Sequence, residues 1–205
     1  SYEREKTSMA NAPLDMTNVS VNYDDDWLNS TNPAICSIFL KNVKQAMKTG
    51  EPGFSFNFGE RSNETLRNAC TEVVSEDDSD SCNIGSVNMG RINDLDDFAH
   101  ACESGVKFLM CGLLRAELPY KKVYAVREKN RRIGLGLMGV HEWLLKRGYR
   151  YEMVPELREW LSVYRDVSSN VSRDFANRMG IAVPVATRAI APTGTIGMLA
   201  GTHNG

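Results

Sequence analysis

The stretch Asn68-Ala69-Cys70-Thr71-Glu72 places an amide, a thiol and a carboxylate at alternating positions. In an extended segment, side chains two residues apart lie on the same face, so an extended conformation would direct all three groups the same way. One small substrate could then meet a hydrogen-bond donor, a sulfur and a proton acceptor together. A second thiol follows twelve residues after Cys70, in Ser81-Cys82-Asn83-Ile84-Gly85-Ser86-Val87-Asn88. This combination predicts thiol chemistry on a substrate that carries hydroxyl groups.

The composition is that of one large domain, or of part of one. The chain has 205 residues, of which 42% are hydrophobic, and a formal net charge of −2, which allows a buried core. This charge balance does not indicate a nucleic-acid or membrane surface. No apolar run approaches the ~20 residues that cross a bilayer, and the charged N-terminus lacks the apolar segment of a secretion signal. Both ends are interpreted as cuts through a longer protein.

The cysteines argue against a disulfide scaffold and against a metal site. They are odd in number, without a CxxC pair or a spacing typical of zinc ligands, and are Cys36, Cys70, Cys82, Cys102 and Cys111. A cytoplasmic location, where thiols stay reduced, fits this usage. Cys102 and Cys111 fall within a helical pattern and are expected to be small buried hydrophobic residues.

Hydrophobic periodicity and capping residues predict alternating strands and helices, which is typical of an α/β fold. Strands are predicted over 17–23, 53–58, 82–89 and 187–191, and helices over 33–49, 94–118, within 131–147 and over 155–179. Phe54, Phe56 and Phe58 alternate and are expected in the core. The acidic run from Ser75 to Asp80 is expected to be a solvated loop.

Two glycine-containing segments suggest opposite conclusions. Gly134-Leu135-Gly136-Leu137-Met138-Gly139 matches a dinucleotide-binding pattern, but the charged segment before it is unsuited to the buried strand that such a site needs. We therefore expect these glycines to allow close backbone packing. In contrast, Pro192-Thr193-Gly194-Thr195-Ile196 follows an apolar strand and offers hydroxyls and backbone N–H groups that could hold a phosphate.

The residues alone leave several functions open. Asn68 and Glu72 beside Cys70 predict a reactive thiol with a hydrogen-bonding group and a proton acceptor. A dithiol redox protein is an alternative, and it predicts a disulfide between Cys70 and Cys82. A non-catalytic fragment that binds a nucleotide or a partner chain is another.

These segments resemble the catalytic subunit of ribonucleotide reductase. Asn68-x-Cys70-x-Glu72 is similar to the family's finger-loop signature, and the run from Ser81 to Asn88 is similar to its redox-cysteine strand. The segment 191–196 resembles the substrate phosphate loop. Segments 18–21, 50–53 and 132–139 resemble an early barrel strand, the lead-in to the finger loop and a helix start. The landmarks keep the family's order and cover nearly the whole chain.

The resemblance implies a role for each site residue. Cys70 would carry the thiyl radical that removes the ribose 3′ hydrogen, and Glu72 would take the proton of the 3′-hydroxyl. Asn68 would hold the substrate hydroxyls, and Cys82 would be one of two thiols that reduce the 2′ carbon as water leaves. The nucleotide phosphates would be bound by Pro192, Thr193, Gly194, Thr195 and Ile196.

The resemblance also implies an architecture, a cofactor and partners. Residues 1–205 would be part of a ten-stranded α/β barrel domain, truncated at both ends, with a central finger loop that carries the radical cysteine. The sequence of residues 71–78 and the short gap between Cys70 and Cys82 are more similar to the adenosylcobalamin-dependent members of the family. The alternative is the class that receives its radical from a separate metal-containing subunit. A ribonucleoside di- or triphosphate substrate, thioredoxin or glutaredoxin as reductant, complementary reductase segments and a homodimer of the complete enzyme are implied as well. We expect a ribonucleoside-diphosphate reductase whose isolated segment is inactive.

The chain departs from the family pattern in two respects. The partner thiol of Cys82 normally lies upstream of residue 1, and Cys36, which falls on a helical pattern, is not expected to replace it. Ala69 and Thr71 stand where the family often has proline and glycine. Neither position supplies a catalytic group, so the implied roles are unaffected.

Overall fold

The computed structural model of the protein describes residues 18–202, so residue 17 of the first predicted strand lies outside the described part. The chain divides into two compact units, with the division between Glu76 and Asp77. In the first unit, β1 (Ser20–Asp24) pairs in parallel with β2 (Gly53–Asn57). Two helices, α1 (Asp25–Leu28) and α2 (Pro33–Thr49), make the crossover connection that a parallel pair needs. Both strand predictions are confirmed.

The ends of α2 are set by local signals in the sequence. Asn32 Oδ1 accepts a hydrogen bond from Ala34 N at 2.9 Å, which caps the first turn, and Pro33 occupies the first helical position. Gly50 ends the helix with a φ of 83°, in the left-handed region that glycine adopts without strain. The predicted bounds of this helix are confirmed.

The two faces of β2 are the reverse of the expected ones. Ser55 and Asn57 are 4% and 0% exposed, whereas Phe56 is 47% exposed and Phe54 and Phe58 are half-buried. The three phenylalanines belong to an aromatic cluster around the buried Tyr23, and that cluster is open on one side. The prediction that they form the core is therefore wrong for Phe56. A hydrogen-bonded network fills the buried face instead.

The second unit is built on another parallel pair, β5 (Asn83–Asn88) and β6 (Ile133–Met138), whose register starts at Asn83↔Ile133. The predicted third strand is confirmed. The helices of this unit are α3 (Leu95–Arg115), α4 (Lys121–Asn130), α5 (Val140–Lys146), α6 (Pro155–Met179) and α7 (Gly194–Ala200). Of these, α4 was not predicted, because its sequence is mostly polar, and α7 was not predicted, because its small residues suggested a loop. The α6 prediction is confirmed at both ends.

Large side chains from the helices of the second unit pack against β6 to form its core. Phe98 stacks on Trp160 with ring centroids 4.8 Å apart, and Trp143 meets Trp160 edge-on at 4.9 Å. Cys102 is fully buried in this core, as expected. Cys111 is exposed, so its expected burial is wrong: it lies on the face of α3 that points away from the core.

The glycine-rich pattern lies within β6 itself. The resemblance of 132–139 to a helix start is therefore corrected, because Ile133–Met138 form a strand that is buried throughout. The segment before it ends α4, which agrees with the expectation that no strand precedes the glycines. A Cβ at Gly136 would lie 2.6 Å from the Ala189 carbonyl oxygen, and one at Gly139 would lie 2.6 Å from Asn88 Oδ1. The predicted role of these glycines in close packing is confirmed.

Two carboxylates of the acidic run are anchored by ion pairs and hydrogen bonds. The Asp80 side chain is 1% exposed, pairs with Arg132 Nε at 2.8 Å and accepts a hydrogen bond from Asn130 at 3.0 Å. Asp77 accepts hydrogen bonds from Lys129, which hold the pKa of its carboxyl below the usual value. The prediction of a solvated loop is therefore wrong for Asp77 and Asp80, whereas Glu76 and Asp78 are exposed. These contacts fix the segment that leads to Cys82.

The fold is α/β, as predicted. The strands that the structure describes between residues 18 and 202 form three two-stranded sheets, two parallel and one antiparallel. A ten-stranded barrel therefore stays a prediction. In this part of the chain, no helix is both long and apolar enough to cross a membrane. Among residues 18–202, there is also no group of three or more His, Cys, Asp or Glu side chains that could hold a metal ion.

Candidate active site

A short hairpin carries Asn68, Cys70 and Glu72. Its strands are β3 (Leu66–Arg67) and β4 (Val74–Ser75), which pair antiparallel. Asn68 closes the loop between them through its backbone and its side chain. Its N–H donates to the Val73 carbonyl at 3.2 Å, and its Oδ1 accepts from Val73 N at 3.0 Å.

The tip of this hairpin is a turn and not an extended strand. Thr71 N donates to the Asn68 carbonyl at 3.1 Å, and Thr71 has a φ of 64°. The side chains of Asn68, Cys70 and Glu72 are therefore not oriented by the alternation of an extended strand, and the prediction of an extended segment is wrong. The physical reason is that Asn68 gives the backbone a local partner, which favours a turn over a sheet ladder. The turn nonetheless keeps all three side chains within one loop.

The three groups of the hairpin differ in exposure and in bonding. Cys70 is a free, exposed thiol at the tip. Asn68 uses its oxygen to close the loop, which leaves its Nδ2 donors for a ligand. Glu72 is half-buried, and its Oε2 is buried without a hydrogen bond from any residue of 18–202. A buried carboxylate oxygen that lacks a donor is suited to accept a proton or a hydroxyl hydrogen bond from a ligand.

Cys82 lies in the second unit, immediately before β5. Its thiol is half-buried and donates to the Asn83 carbonyl at 3.9 Å. A Cβ added at Gly134 on β6 would lie 3.2 Å from Cys82 Sγ, so the absence of a side chain at Gly134 provides the space beside this sulfur. Cys36 is exposed on α2, where the sequence placed it. The hairpin residues belong to the first unit, and Cys82 belongs to the second.

The predicted phosphate loop is a loop only at Pro192 and Thr193. Gly194, Thr195 and Ile196 form the first turn of α7, also in the second unit, so the loop prediction is wrong for these three residues. The segment before it runs beside β6, with Ala189 N donating to the Leu135 carbonyl at 3.1 Å, but only one β-bridge of the strand predicted over 187–191 is present. Thr193 is buried with a φ of 52°, and Pro192, Gly194, Thr195 and Ile196 are exposed. The loop thus lies after a segment parallel to β6, on the side where α/β proteins bind ligands.

An open cleft that the sequence did not reveal lies beside α7 in the second unit. It has a volume of about 480 Å³ and is lined by Glu142, Gly197, Met198, Gly201 and Thr202. The Thr202 hydroxyl and Lys146 donate to Glu142 and hold the pKa of its carboxyl below the usual value. The spacing of Glu142 and Lys146 by four residues on α5 signals this ion pair, but Thr202 is distant in sequence.

Comparisons with known proteins all point to the same protein family. A family model for the ribonucleotide reductase barrel domain matches residues 16–162. A protein of Mycobacterium phage D29, named as an adenosylcobalamin-dependent ribonucleoside-triphosphate reductase, is 30% identical over 92% of this chain and 30% of its own length. A vitamin B12-dependent ribonucleoside-diphosphate reductase of Thermoplasma acidophilum is 26% identical over 87% of this chain and 28% of its own length.

Solved structures show the same fold. The class Id ribonucleotide reductase alpha subunit of Actinobacillus ureae superposes with a TM-score of 0.78 at 19% identity, over 98% of this chain and 45% of that one. A B12-dependent class II ribonucleotide reductase superposes with a TM-score of 0.70 at 19% identity, over 99% of this chain and 32% of that one. This chain spans under a third of the length of the two curated relatives. The chain belongs to the ribonucleotide reductase family, and most of it matches that family's barrel domain.

Proposed function

We propose that this chain supplies the radical-bearing segment of an enzyme that reduces ribonucleotides to deoxyribonucleotides. The observation that carries the proposal is the hairpin from Asn68 to Val73. It presents an exposed thiol, and a carboxylate oxygen without a donor lies two residues further on. Membership of the reductase family supports the same reaction.

In the proposed reaction, a thiyl radical on Cys70 Sγ takes the hydrogen atom from C3′ of the ribose. An S–H bond forms as the C–H bond breaks. Glu72 accepts the proton of the 3′-hydroxyl, and the Asn68 amide holds the sugar hydroxyls. The 2′-hydroxyl leaves as water, with Cys82 and a second thiol supplying two electrons and two hydrogens. These two thiols become a disulfide, and Cys70 returns its hydrogen atom to C3′.

The turn suits this chemistry for two physical reasons. The acceptor of a proton must lie within about 3 Å of the hydroxyl that it serves, and a loop that holds the thiol and the carboxylate two residues apart can deliver both to one sugar. The buried, unpartnered Glu72 Oε2 gains its hydrogen bond only when a ligand is present. In this proposal, the finger loop of the expected ten-stranded barrel is this hairpin.

Adenosylcobalamin is the proposed radical source, and the chemistry of the hairpin fits it. When bound to the complete enzyme, this cofactor would supply a radical able to take the hydrogen atom of a thiol. The exposed S–H of Cys70 is the group of this chain that would face it. The names of the phage and Thermoplasma relatives favour this source. The alternative is a radical delivered by a separate metal-containing subunit.

The proposed substrate is a ribonucleoside di- or triphosphate, because one relative is named for each. Its phosphates would be bound by the segment from Pro192 to Ile196, through backbone N–H groups and the Thr193 and Thr195 hydroxyls. Thioredoxin or glutaredoxin would reduce the disulfide that Cys82 forms. Complementary reductase segments would complete the enzyme, which would act as a homodimer in the cytoplasm.

The test is reconstitution with complementary reductase segments, followed by an assay for deoxyribonucleotide. Cys70→Ser should abolish turnover while nucleotide binding is retained, and Glu72→Gln should lower kcat by a factor of about 10² to 10⁴. Cys111→Ser is the matched control, because that thiol is also exposed but lies on α3. Full turnover by Cys70→Ser would refute the proposal and favour a binding fragment. Turnover by the isolated chain would refute the need for complementary segments.

A further inference from the structure

Arg67 is the last residue of β3, immediately before the loop that carries Cys70. Its guanidinium reaches three neutral oxygens on β2. Nε donates to Ser55 Oγ, and Nη2 donates to the Phe56 carbonyl at 2.9 Å and to Asn57 Oδ1 at 3.3 Å. A planar guanidinium can make this set of bonds, whereas the single ammonium of a lysine cannot make it with the same geometry.

Two of the three partners of Arg67, Ser55 and Asn57, are themselves buried and hydrogen-bonded. Ser55 and Asn57 are nearly inaccessible, and Ser55 Oγ donates to Asn57 Oδ1 at 2.8 Å. Asn57 Nδ2 donates to the carbonyls of Arg61, at 3.4 Å, and of Glu64. The network therefore fastens β2 both to the segment before the hairpin and to the hairpin's first strand. Buried polar groups of this kind fix one geometry, because each lost partner leaves an unsatisfied atom.

The path from Arg67 to the reactive thiol is short. Asn68 follows Arg67, and Asn68 closes the loop that presents Cys70. The paired strands are only two residues long, so pairing alone holds the hairpin weakly. The direction of the loop is therefore set by what anchors its base, and Arg67 contributes the anchor from β3.

We propose that Arg67 is a positioning residue, which holds the Cys70 hairpin at a fixed place and angle on β2 through Ser55 and Asn57. It touches neither substrate nor cofactor in this proposal, and it acts through Asn68. The inference rests on the proposed function, since positioning has a catalytic consequence only if Cys70 reacts. The anchor itself can be measured without turnover.

The first measurement is amide hydrogen exchange in the folded chain. Arg67→Ala should raise exchange at the Asn68 and Val73 amides about tenfold or more, because those amides report closure of the loop. Arg67→Lys, which keeps the charge and loses the planar fork, should raise it to an intermediate level. Arg61→Ala is the matched control: it removes an exposed guanidinium from the same unit but keeps the carbonyl that Asn57 uses. It should leave exchange at both amides unchanged.

The second measurement is turnover after reconstitution with complementary reductase segments. Arg67→Ala should lower kcat about tenfold to hundredfold, because misplacement of a reactive group slows the chemical step. KM should stay within about twofold, and Arg67→Lys should recover part of kcat. If the variants instead lost folding in general, every variant of this unit would have a smaller fraction of active enzyme, and Arg67→Lys would recover no kcat.

The outcomes separate the two proposals. Unchanged exchange at Asn68 and Val73 in a folded Arg67→Ala chain overturns the anchor, as does wild-type kcat in that variant. Should Arg67→Ala fail to fold, Arg67→Lys and Ser55→Ala decide by the same exchange criterion. An inactive wild type, or an active Cys70→Ser variant, counts against the proposed function, and the exchange result then decides on the anchor alone.

Discussion

Gly134→Ala is the sharpest test of the packing of β6, because the change adds one methyl group at a contact defined by three atoms. The new Cβ would lie 2.9 Å from Ala189 Cβ and 3.2 Å from both Cys82 Sγ and Ile84 Cγ1. Ordinary carbon contacts have their optimum at about 3.5–4.0 Å. At least one of the three neighbours must therefore move.

The magnitude follows from two opposing effects on the free energy of unfolding. Overpacking a close-packed interior costs about 1–3 kcal/mol. Replacing glycine inside a strand recovers about 0.5–1 kcal/mol, because alanine loses less conformational entropy on folding. The central values of the two ranges give a net destabilisation of Gly134→Ala of about 1.3 kcal/mol. With a urea m-value of about 2 kcal/mol/M, the unfolding midpoint should fall by about 0.6 M.

Urea unfolding followed by tryptophan fluorescence measures this shift, because Trp143 and Trp160 lie in the core of the same unit. Gly194→Ala is the matched control: a Cβ at Gly194 meets no atom within 4 Å, and the residue is helical. It should leave the midpoint unchanged or raise it slightly. Equal midpoints for Gly134→Ala and Gly194→Ala would refute the reasoning that close packing excludes a side chain from β6.

Three further predictions concern other parts of the molecule. Asp80→Asn should lower the free energy of unfolding in urea by about 1–3 kcal/mol, because the change leaves buried donors poorly satisfied. In comparison, the exposed ion pair of Asp78 should contribute at most about 1 kcal/mol, measured by Asp78→Asn. Thr71→Gly should raise the unfolding free energy by up to about 1.5 kcal/mol, since relief of a left-handed side chain worth about 1–2 kcal/mol exceeds glycine's added entropy cost of about 0.5–1 kcal/mol. An equal gain in Thr71→Ala would contradict this. Burial raises the pKa of the Cys102 thiol to about 12. This thiol should therefore stay protonated and resist alkylation at pH 8 until the chain unfolds, while the exposed Cys111 reacts in the folded chain. Mass spectrometry distinguishes the two thiols.

The sequence was sufficient where the determining signal is local. Asn32 and Gly50 fix α2 because capping acts within one turn of the residue that provides it. The same holds for Pro155 and Gly180 at the ends of α6. The three chemical groups of the hairpin were also identifiable, since the spacing of Asn68, Cys70 and Glu72 survives any local conformation.

The sequence was insufficient where distant residues decide. The phenylalanines of β2 suggest a core face, but Ser55 and Asn57 are buried because Arg67, at least ten residues away, supplies their hydrogen-bond partner. Asp80 is buried for a similar reason, since Arg132 lies 52 residues further along the chain. The turn at Thr71 lacked the usual glycine signal for a positive φ. Tertiary partners override pattern and propensity at each of these positions.

The placement of Cys70 brings the local and distant determinants together. A loop closed by Asn68 fixes the shape of the turn, but two paired residues on each side cannot fix its direction. Direction requires an attachment to something rigid, and β2 is rigid because it pairs along its whole length with β1. In the proposed reaction Cys70 exchanges a hydrogen atom with a sugar, and that role needs both determinants, since a reacting pair must meet within a few tenths of an ångström. The buried polar face of β2 is therefore best explained by the demand on the hairpin. An apolar face would bury more surface, but it would leave Arg67 only the Phe56 carbonyl as an acceptor on β2, and the loop would keep its shape while its position became less fixed.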